Sequence, residues 1–390
     1  MPVVNRMSDL QAEIAAWRQD LHAHPELLYD VHRTAALVAD KLRAFGCDEV
    51  VTGLGETGVV GVIRGRKPAE GEVRTIGLRA DMDALAIEEE TGLPYQSATI
   101  GKMHACGHDG HTAMLLGAAR YLTETRNFAG TAVVIFQPAE EGGNGAERMM
   151  RDGLLDRFAI DQVYGMHNRP GLPLGQFSIR SGPSMASTDR IDITIEGKGG
   201  HAARPHVAID SLLIGAQLVG QLQSIVSRTI DPLDSAVVSI CEFHAGNAHN
   251  VIPQRVALSG TVRTLKAETR DLIERRMHEI TEGVARMTGA RITLRYQRQT
   301  PVLVNHDAEV TAAAKIAAEV VGEHNVQVGV PPVMGGEDFA FMLQARPGAF
   351  INVGNGDSAP LHHPAYDFND EAIVFGTSYW IRLVETLLAA

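Results

Sequence analysis

"TAVVIFQPAEEGG", residues 131–143, runs from an unbroken apolar stretch into a proline and a pair of glutamates. A short, β-branched apolar run closed by Pro and Gly-Gly reads as a strand buried on both faces, the kind found inside a parallel sheet. Glu140 and Glu141 then stand at its carboxyl end, in a tight turn and not on a solvated helix face. Successive residues point in different directions, so one carboxylate can ligate while the other faces a reacting water. The same form recurs along the chain. "TIGLRADMD" (75–83) ends in Asp81 and Asp83, "QVYGMHN" (162–168) reaches His167, and "GAFINVGNGDSAPLHHP" (348–364) leads through a loop to His362 and His363. Ligands of open α/β sheets lie outside the carboxyl ends of the strands, so these residues are expected to converge.

Helices alternate with these strands. Ser8 and Gln11 fit a capping box ahead of Leu10, Ile14, Trp17 and Leu21 at helical spacing. A second helix is expected from Val31 to Phe45, closed by Gly46. "GVVGVI" (58–63) reads as a strand, "HTAMLLGAARYLTE" (111–124) and "AERMMRDG" (146–153) as helices. After "SGPSMAS" (181–187) the character changes. "DRIDITIEG" (189–197) alternates apolar and polar residues, as a half-exposed antiparallel strand does. A helix from Ile209 to about Thr229, strands "AVVSICEFHA" and "VALSGTVRT", a helix over 267–288 and a strand "RITLRYQ" complete the order β-α-β-β-α-β of a ferredoxin-like sandwich. The expected fold is therefore α/β: a larger domain (1–185 and 300–390) with a mostly parallel sheet flanked by helices, and an inserted α+β lid domain (186–299).

One short stretch concentrates chemistry. "KMHACGHDGH" (102–111) carries His104, Cys106, His108 and His111. Each alone has a plain reading: a hydrogen-bonded structural histidine, or a small buried thiol. Together with the strand-end carboxylates and imidazoles they form a donor pool larger than one closed tetrahedral site needs. One thiolate, several imidazoles and carboxylates suit manganese, zinc, cobalt or nickel, and the surplus favours two ions ~3.5–4 Å apart. Cys106 lies just before a helix expected to start near His111, where a thiolate is favoured.

Bulk properties remove other classes. The chain has 390 residues, a formal net charge of −12, and no basic footprint for nucleic acid. Its three cysteines (Cys47, Cys106 and Cys241) are widely spaced and form no C-x-x-C pair, which argues against a disulfide framework or a zinc ribbon and suits a reducing cytoplasm. "MPVVNRMSDLQAEI" has no apolar signal core and no later stretch spans a bilayer, so a soluble cytoplasmic protein is expected. Zinc nucleobase deamination would need an H-x-E followed by a P-C-x-x-C, and no P-C-x-x-C is present.

Motifs along the whole chain now carry a resemblance. "MHACGHDGHT", "QPAEEGGNGA", "GKGGHAARPH", "NVIPQ", "GTVRT", "MGGEDFA" and "HHPAYDFND" resemble, in order and spacing, the aminoacylase and carboxypeptidase family of dinuclear metallo-amidohydrolases. The branch is that of hippurate hydrolases and N-acyl-amino-acid amidohydrolases, similar to plant auxin-conjugate hydrolases. The resemblance implies that Cys106 bridges two metals and that His108, Glu141, His167 and His362 are the remaining ligands. It implies Glu140 as general base and Asp83 as a carboxylate behind the ligands. "ADMD" stands where other branches place a metal histidine, which leaves the role of Asp81 open, as are those of His363 and His111, the latter read as a first-turn structural residue. From the lid, His201 would reach the substrate carbonyl, Asn250 and Arg263 would hold the substrate, and Gly335 and Gly336 would offer backbone contacts. The implied substrate is a small N-acyl or N-aroyl amino acid, with an N-acetyl-diaminopimelate deacetylase, a dipeptidase, or a non-catalytic metal-stabilised binding protein as alternatives. The implied assembly is a homodimer or higher homo-oligomer formed through the lid domain.

Overall fold

The computed structural model describes residues 4–69, 71 and 73–389. In chain order the first elements are α1 (Arg6–Ala23), α2 (His32–Phe45), β1 (Glu49–Leu54), β2 (Gly58–Arg64), β3 (Thr75–Asp81), α3 (His108–Thr125), β4 (Thr131–Gln137), α4 (Gly145–Arg151), α5 (Leu154–Arg157), β5 (Gln162–Arg169) and β6 (Phe177–Ile179). Next come β7 (Gly182–Met185), β8 (Ser187–Glu196), β9 (Gly200–His201), α6 (Ser211–Arg228), β10 (Ala236–Ala245), β11 (Val251–Ile252), β12 (Arg255–Thr264), α7 (Ala267–Thr288) and β13 (Arg291–Arg298). The last are β14 (Leu303–Asn305), α8 (Asp307–Val321), β15 (Val326–Val328), α9 (Ala340–Ala345), β16 (Gly348–Gly354) and α10 (Ile373–Leu387). Two compact units result. One takes the described residues up to Gly182, Val304–Pro331 and those from Phe341 onward; the other takes Pro183–Leu303 and Pro332–Ala340.

The larger unit is built on an eight-stranded sheet, ordered β1-β2-β4-β3-β5-β16-β6-β15. Its centre, β4-β3-β5-β16, is parallel throughout. That shared direction puts the ends of four strands along one edge. Every residue of β3 is buried, as expected of a strand covered on both faces. On the β4 side the sheet is finished by antiparallel strands, β2 against β4 and β1 against β2. β1 escaped the sequence reading because "EVVTGL" is half exposed and interrupted by Thr and Gly. Helices α1, α2 and α10 pack against α3. Met7, Leu10, Ile14, Trp17 and Leu21 form the buried stripe of α1.

Two local expectations are corrected. The capping box at Ser8 does not start α1, which begins at Arg6 with Asn5 preceding it. Helix α3 begins at His108, not near His111, because Gly107 enters it at φ 87, a conformation that glycine adopts freely.

The second unit has a four-stranded sheet ordered β10-β12-β8-β13, antiparallel at every pairing. With α6 between β8 and β10 and α7 between β12 and β13, this is the ferredoxin-like arrangement. Its core is Ile191, Ile193 and Ile195 of β8 against Leu218, Leu222 and Ile225 of α6 and Ile273 and Met277 of α7. Asp210 caps α6, its side chain accepting the Leu212 and Leu213 N–H groups.

A buried charge cluster anchors the start of α3. His22 Nδ1 lies 2.8 Å from Asp109 Oδ2, and its Nε2 lies 3.3 Å from Glu89 Oε1. Arg18 donates to Asp370 through Nε at 2.7 Å and Nη2 at 3.0 Å, and its Nη1 faces Asp109 and Asp367. Burial alone would lower the His22 pKa, but Asp109 and Glu89 outweigh it and raise it to about 9. A raised pKa contributes stability that is complete below pH ~6.5 and is lost as pH rises through the folded value; a shift of this size corresponds to roughly 3 kcal/mol. The denaturation midpoint of the metal-free protein should therefore fall between pH 6.5 and 9.5, and the fall should be much smaller in His22→Gln. Parallel pH profiles for the two proteins would contradict this assignment.

Candidate metal centre

The parallel strands deliver their polar ends to one place. Asp81 closes β3, and Asp83 follows it. Both are buried. Asp83 Oδ1 accepts the Glu140 backbone N–H at 3.0 Å, and Oδ2 accepts that of Glu141 at 3.1 Å. One carboxylate thus pins the turn that presents both glutamates. Ala139, just before them, has φ 56, and His362 has φ 62. Non-glycine residues held in this region store strain, and such outliers gather at functional sites.

The imidazoles are oriented by backbone carbonyls. His108 Nδ1 bonds the Asp83 carbonyl at 2.7 Å, and His167 Nδ1 bonds the Asn168 carbonyl at 2.7 Å. A carbonyl can only accept, so each Nδ1 carries a proton. The neutral His167 ring presents a lone pair at Nε2. At His108 burial is outweighed by Asp81 and Cys106, which push the pKa well up, so a bound cation would displace a proton from its Nε2. His167 Nε2 lies 3.4 Å from Cys106 Sγ, and His362 Nε2 lies 3.4 Å from Glu141 Oε1. Cys106 is buried and belongs to two donor groups. In one, its sulfur sits with His108 and His167; in the other, with Glu141 and His362; within each group the donor atoms lie within 4.8 Å of one another. A third group joins His108, Glu140 and Glu141.

The donors fit metal ions. His108 Nε2 and Glu141 Oε1 are buried and have no hydrogen-bond partner. Leaving such atoms bare costs about 1–3 kcal/mol each, more for a charged group. Both point into groups of soft and borderline donors, where a divalent ion satisfies them. The electrostatics of the metal-free protein favour the ligand form at His167 and Glu141, and hold His108 and Cys106 protonated. Burial pushes the His167 pKa well down, keeping its ring neutral as a ligand must be. Burial would raise Glu141, but His362 and His108 hold it below the usual carboxylate range. Burial pushes the Cys106 thiol well up. The protein by itself therefore keeps the thiol protonated, and a bound cation would be what makes it a thiolate.

The other candidates separate clearly. His111 lies on the first turn of α3, its Nδ1 2.7 Å from Asp81 Oδ1. His104 is buried with neither ring nitrogen bonded and belongs to none of the donor groups; burial pushes its pKa down to about 3. His363 is exposed, and its Nδ1 accepts the Ala365 N–H. His201, Asn250, Arg263, Gly335 and Gly336 all belong to the second unit. There β9 pairs with β11, and the Ala202 N–H donates to the Asn250 carbonyl at 3.0 Å. His201 Nδ1 accepts the Ala203 N–H at 3.0 Å, which leaves Nε2 as a donor. Arg263 is half buried; it bonds only the Thr261 hydroxyl and the Val262 carbonyl, and no carboxylate pairs with it among the described residues. The Ala186 N–H donates to the Gly335 carbonyl at 2.8 Å. Sequence reasoning passed over Asn168 and Tyr366, which bond each other beneath Gly107. The one signal was position: each lies close to a candidate ligand, in "HN" and "HHPAY".

Comparison with known proteins agrees with this geometry. A family model described as peptidase family M20/M25/M40 matches residues 77–386. A hippurate hydrolase of Campylobacter jejuni is 42% identical over 98% of this chain and 98% of its own length. An N-acetylcysteine deacetylase of Bacillus subtilis is 39% identical over 95% of this chain and 96% of its own. The crystal structure of a dinuclear metal-binding peptidase from Bacillus subtilis superposes with a TM-score of 0.84 at 34% identity, covering 98% of this chain and 99% of that one. The chain belongs to peptidase family M20/M25/M40 and is a metal-dependent amidohydrolase that binds two divalent ions.

Proposed function

We propose that the enzyme hydrolyses N-acyl or N-aroyl amino acids of the hippurate type to a carboxylic acid and a free amino acid. The observation that carries the reading is the buried Cys106 sulfur common to two donor groups. In this reading Cys106, common to both groups, would hold two ions together with His108, Glu141, His167 and His362, and manganese, zinc, cobalt and nickel suit the mixed donors. Two bound ions would lower the pKa of a water and polarise the amide carbonyl. Glu140 takes the proton of the attacking water and returns it to the leaving nitrogen. Asp83 holds Glu140 in place through its backbone N–H. His201 offers its Nε2 hydrogen to the oxygen that gains charge. Arg263, with no carboxylate of its own, is suited to the substrate carboxylate, and Asn250 with the Gly335–Gly336 backbone would position the amide. The hippurate hydrolase relative favours an aroyl group, and the deacetylase relative favours a small acyl group on the same machinery.

Copies of the chain are inferred to pair through the second unit. Helix α6 has no charged residue before Arg228, and it exposes Leu212 and Leu213. Phe243, 41% exposed on edge strand β10, packs beside Gly215 of α6, so apolar helix face and open strand edge are contiguous. A second copy can cover both by sheet extension and helix packing. No helix among the described residues is long and apolar enough to cross a membrane. The three cysteines are all free, which suits a cytoplasmic setting.

The direct test is a hydrolysis panel of hippurate, N-acetyl amino acids and dipeptides, run on native, chelated and metal-restored enzyme. Activity should vanish on chelation and return with one of the four metals. Glu140→Gln should lose roughly 10²–10⁴-fold in turnover with both ions retained, whereas Glu141→Gln should lose metal occupancy as well. Full activity in protein shown by elemental analysis to be metal-free would overturn the reading, and a Glu140→Gln protein lacking both ions would exchange the two roles.

Sedimentation velocity tests the pairing. The native chain should sediment as a dimer or larger, and Leu213→Glu combined with Phe243→Glu as a monomer. A native monomer at assay concentration would contradict it.

A further inference from the structure

Behind the donor groups runs a string of buried polar side chains that the reaction itself does not use. It begins at Gln137, whose Oε1 accepts Arg79 Nε–H at 2.8 Å. Arg79 donates onward to Asp81 Oδ2 at 2.7 Å, and Asp81 Oδ1 lies 2.7 Å from His111 Nδ1. His111 Nε2 faces Asn168, 2.9 Å from its backbone nitrogen and 2.8 Å from Oδ1. Asn168 Nδ2 donates to the Tyr366 hydroxyl. None of these side chains is more than 1% exposed.

A plain structural role explains this poorly. Burying an aspartate–arginine pair costs several kcal/mol per ion before the mutual attraction is counted, and apolar residues of similar volume often stabilise a core as well or better. Nor is Asp81 itself a ready cation site, although its carboxylate, His108 and His111 lie close together. Both of its oxygens are taken, one by the Arg79 guanidinium, which repels a further cation.

What distinguishes the string is where it touches. His111 stacks edge-on against His167, with ring centroids 4.4 Å apart. Asn168 supplies the carbonyl that holds His167 Nδ1. Asn168 and Tyr366 together fill the space where a Cβ on Gly107 would stand, directly beneath the turn joining Cys106 to His108. Tyr366 follows His362 by one tight turn, its N–H donating to the His363 carbonyl at 2.9 Å. The string thus bears on His167, on the Cys106–His108 turn and on the loop of His362. Each comes from a different part of the chain.

We infer that Arg79, Asp81, His111, Asn168 and Tyr366 act as one positioning network that presets the Cys106, His108 and His167 donors for metal. Asn168 is its pivot, since its side chain receives the string and its carbonyl fixes the His167 ring. The inference rests on the ligand reading above. It gives Asp81 a task as the anchor of the string, with no direct ligand role.

Cobalt titration of the chelated full-length protein tests it, read by chelator competition and by the sulfur-to-cobalt charge-transfer band. Native protein should take up two cobalt ions and show the band. Tyr366→Phe, which removes one hydroxyl, and Asp81→Asn should each weaken one of the two ions about 10–100-fold, the usual effect of losing a group that orients a ligand, and should shift the band. Tyr164→Phe removes another buried hydroxyl, which donates to Gln162; it should leave cobalt affinity and band unchanged. If Asp81→Asn fails to fold, Tyr366→Phe decides alone. Native affinity and an unshifted band in Tyr366→Phe, or an equal loss in Tyr164→Phe, would overturn the network. A native protein that bound no cobalt would instead remove the ligand reading itself, and the network with it.

Discussion

Two buried atoms without a hydrogen bond govern this molecule. His108 Nε2 and Glu141 Oε1 are shut away from water and have no hydrogen-bond partner among the described residues, only looser charge contacts: Asp81 Oδ2 3.6 Å from the first and His362 Nε2 3.4 Å from the second. A protein interior tolerates few such atoms, because each forfeits its hydration with nothing gained. Here the surroundings hold them in place without a hydrogen bond. The Asp83 carbonyl takes the far nitrogen of His108, and the Asp83 carboxylate fixes the Glu141 backbone, so both donors are held facing the other candidate ligands. The chain is preorganised for something it must acquire, and a pair of divalent cations fits the sulfur, nitrogen and oxygen donors that face them.

The fold makes that arrangement possible by direction more than by contact. Four parallel strands end on one edge, so residues far apart in sequence meet: Asp83 after β3, Glu140 and Glu141 after β4, His167 late in β5, and His362 beyond β16. Parallel strands require long crossovers. The crossover from β3 to β4 carries Cys106 and His108 at the start of α3. The tight turn there relies on Gly107, which has φ 87 and leaves room for Asn168 and Tyr366. The chemistry is therefore positioned by secondary-structure geometry and trimmed by single residues.

Much of this was legible in the sequence because buried strands announce themselves. "TAVVIF" and "TIGL" have few other readings, and the polar residues after them mark the strand ends. The alternating pattern of β8 likewise separated a half-exposed antiparallel sheet from the parallel one. Three kinds of feature were not legible. Strand β1 is weakly patterned and draws its identity from pairing with β2. The start of α3 depends on a positive φ at Gly107 and has no side-chain cap to signal it. The buried string depends on contacts such as Asn168 with Tyr366, 198 residues apart, which no local pattern encodes. Residues 332–340 likewise join the second unit through bonds such as Val333 N–H to the Ser184 carbonyl. Local physics writes itself into local sequence, whereas these features exist only once the chain has closed.

The claim at the centre of the account is that one cysteine sulfur is shared by two metal ions. X-ray absorption at the metal edge of the fully loaded enzyme tests it most directly, with Cys106→Ser alongside. The account predicts one sulfur scatterer at ~2.3 Å and a second metal at ~3.5–4 Å, with the sulfur signal absent from Cys106→Ser. A first shell of nitrogen and oxygen alone in the native enzyme, with no neighbouring metal, would contradict it.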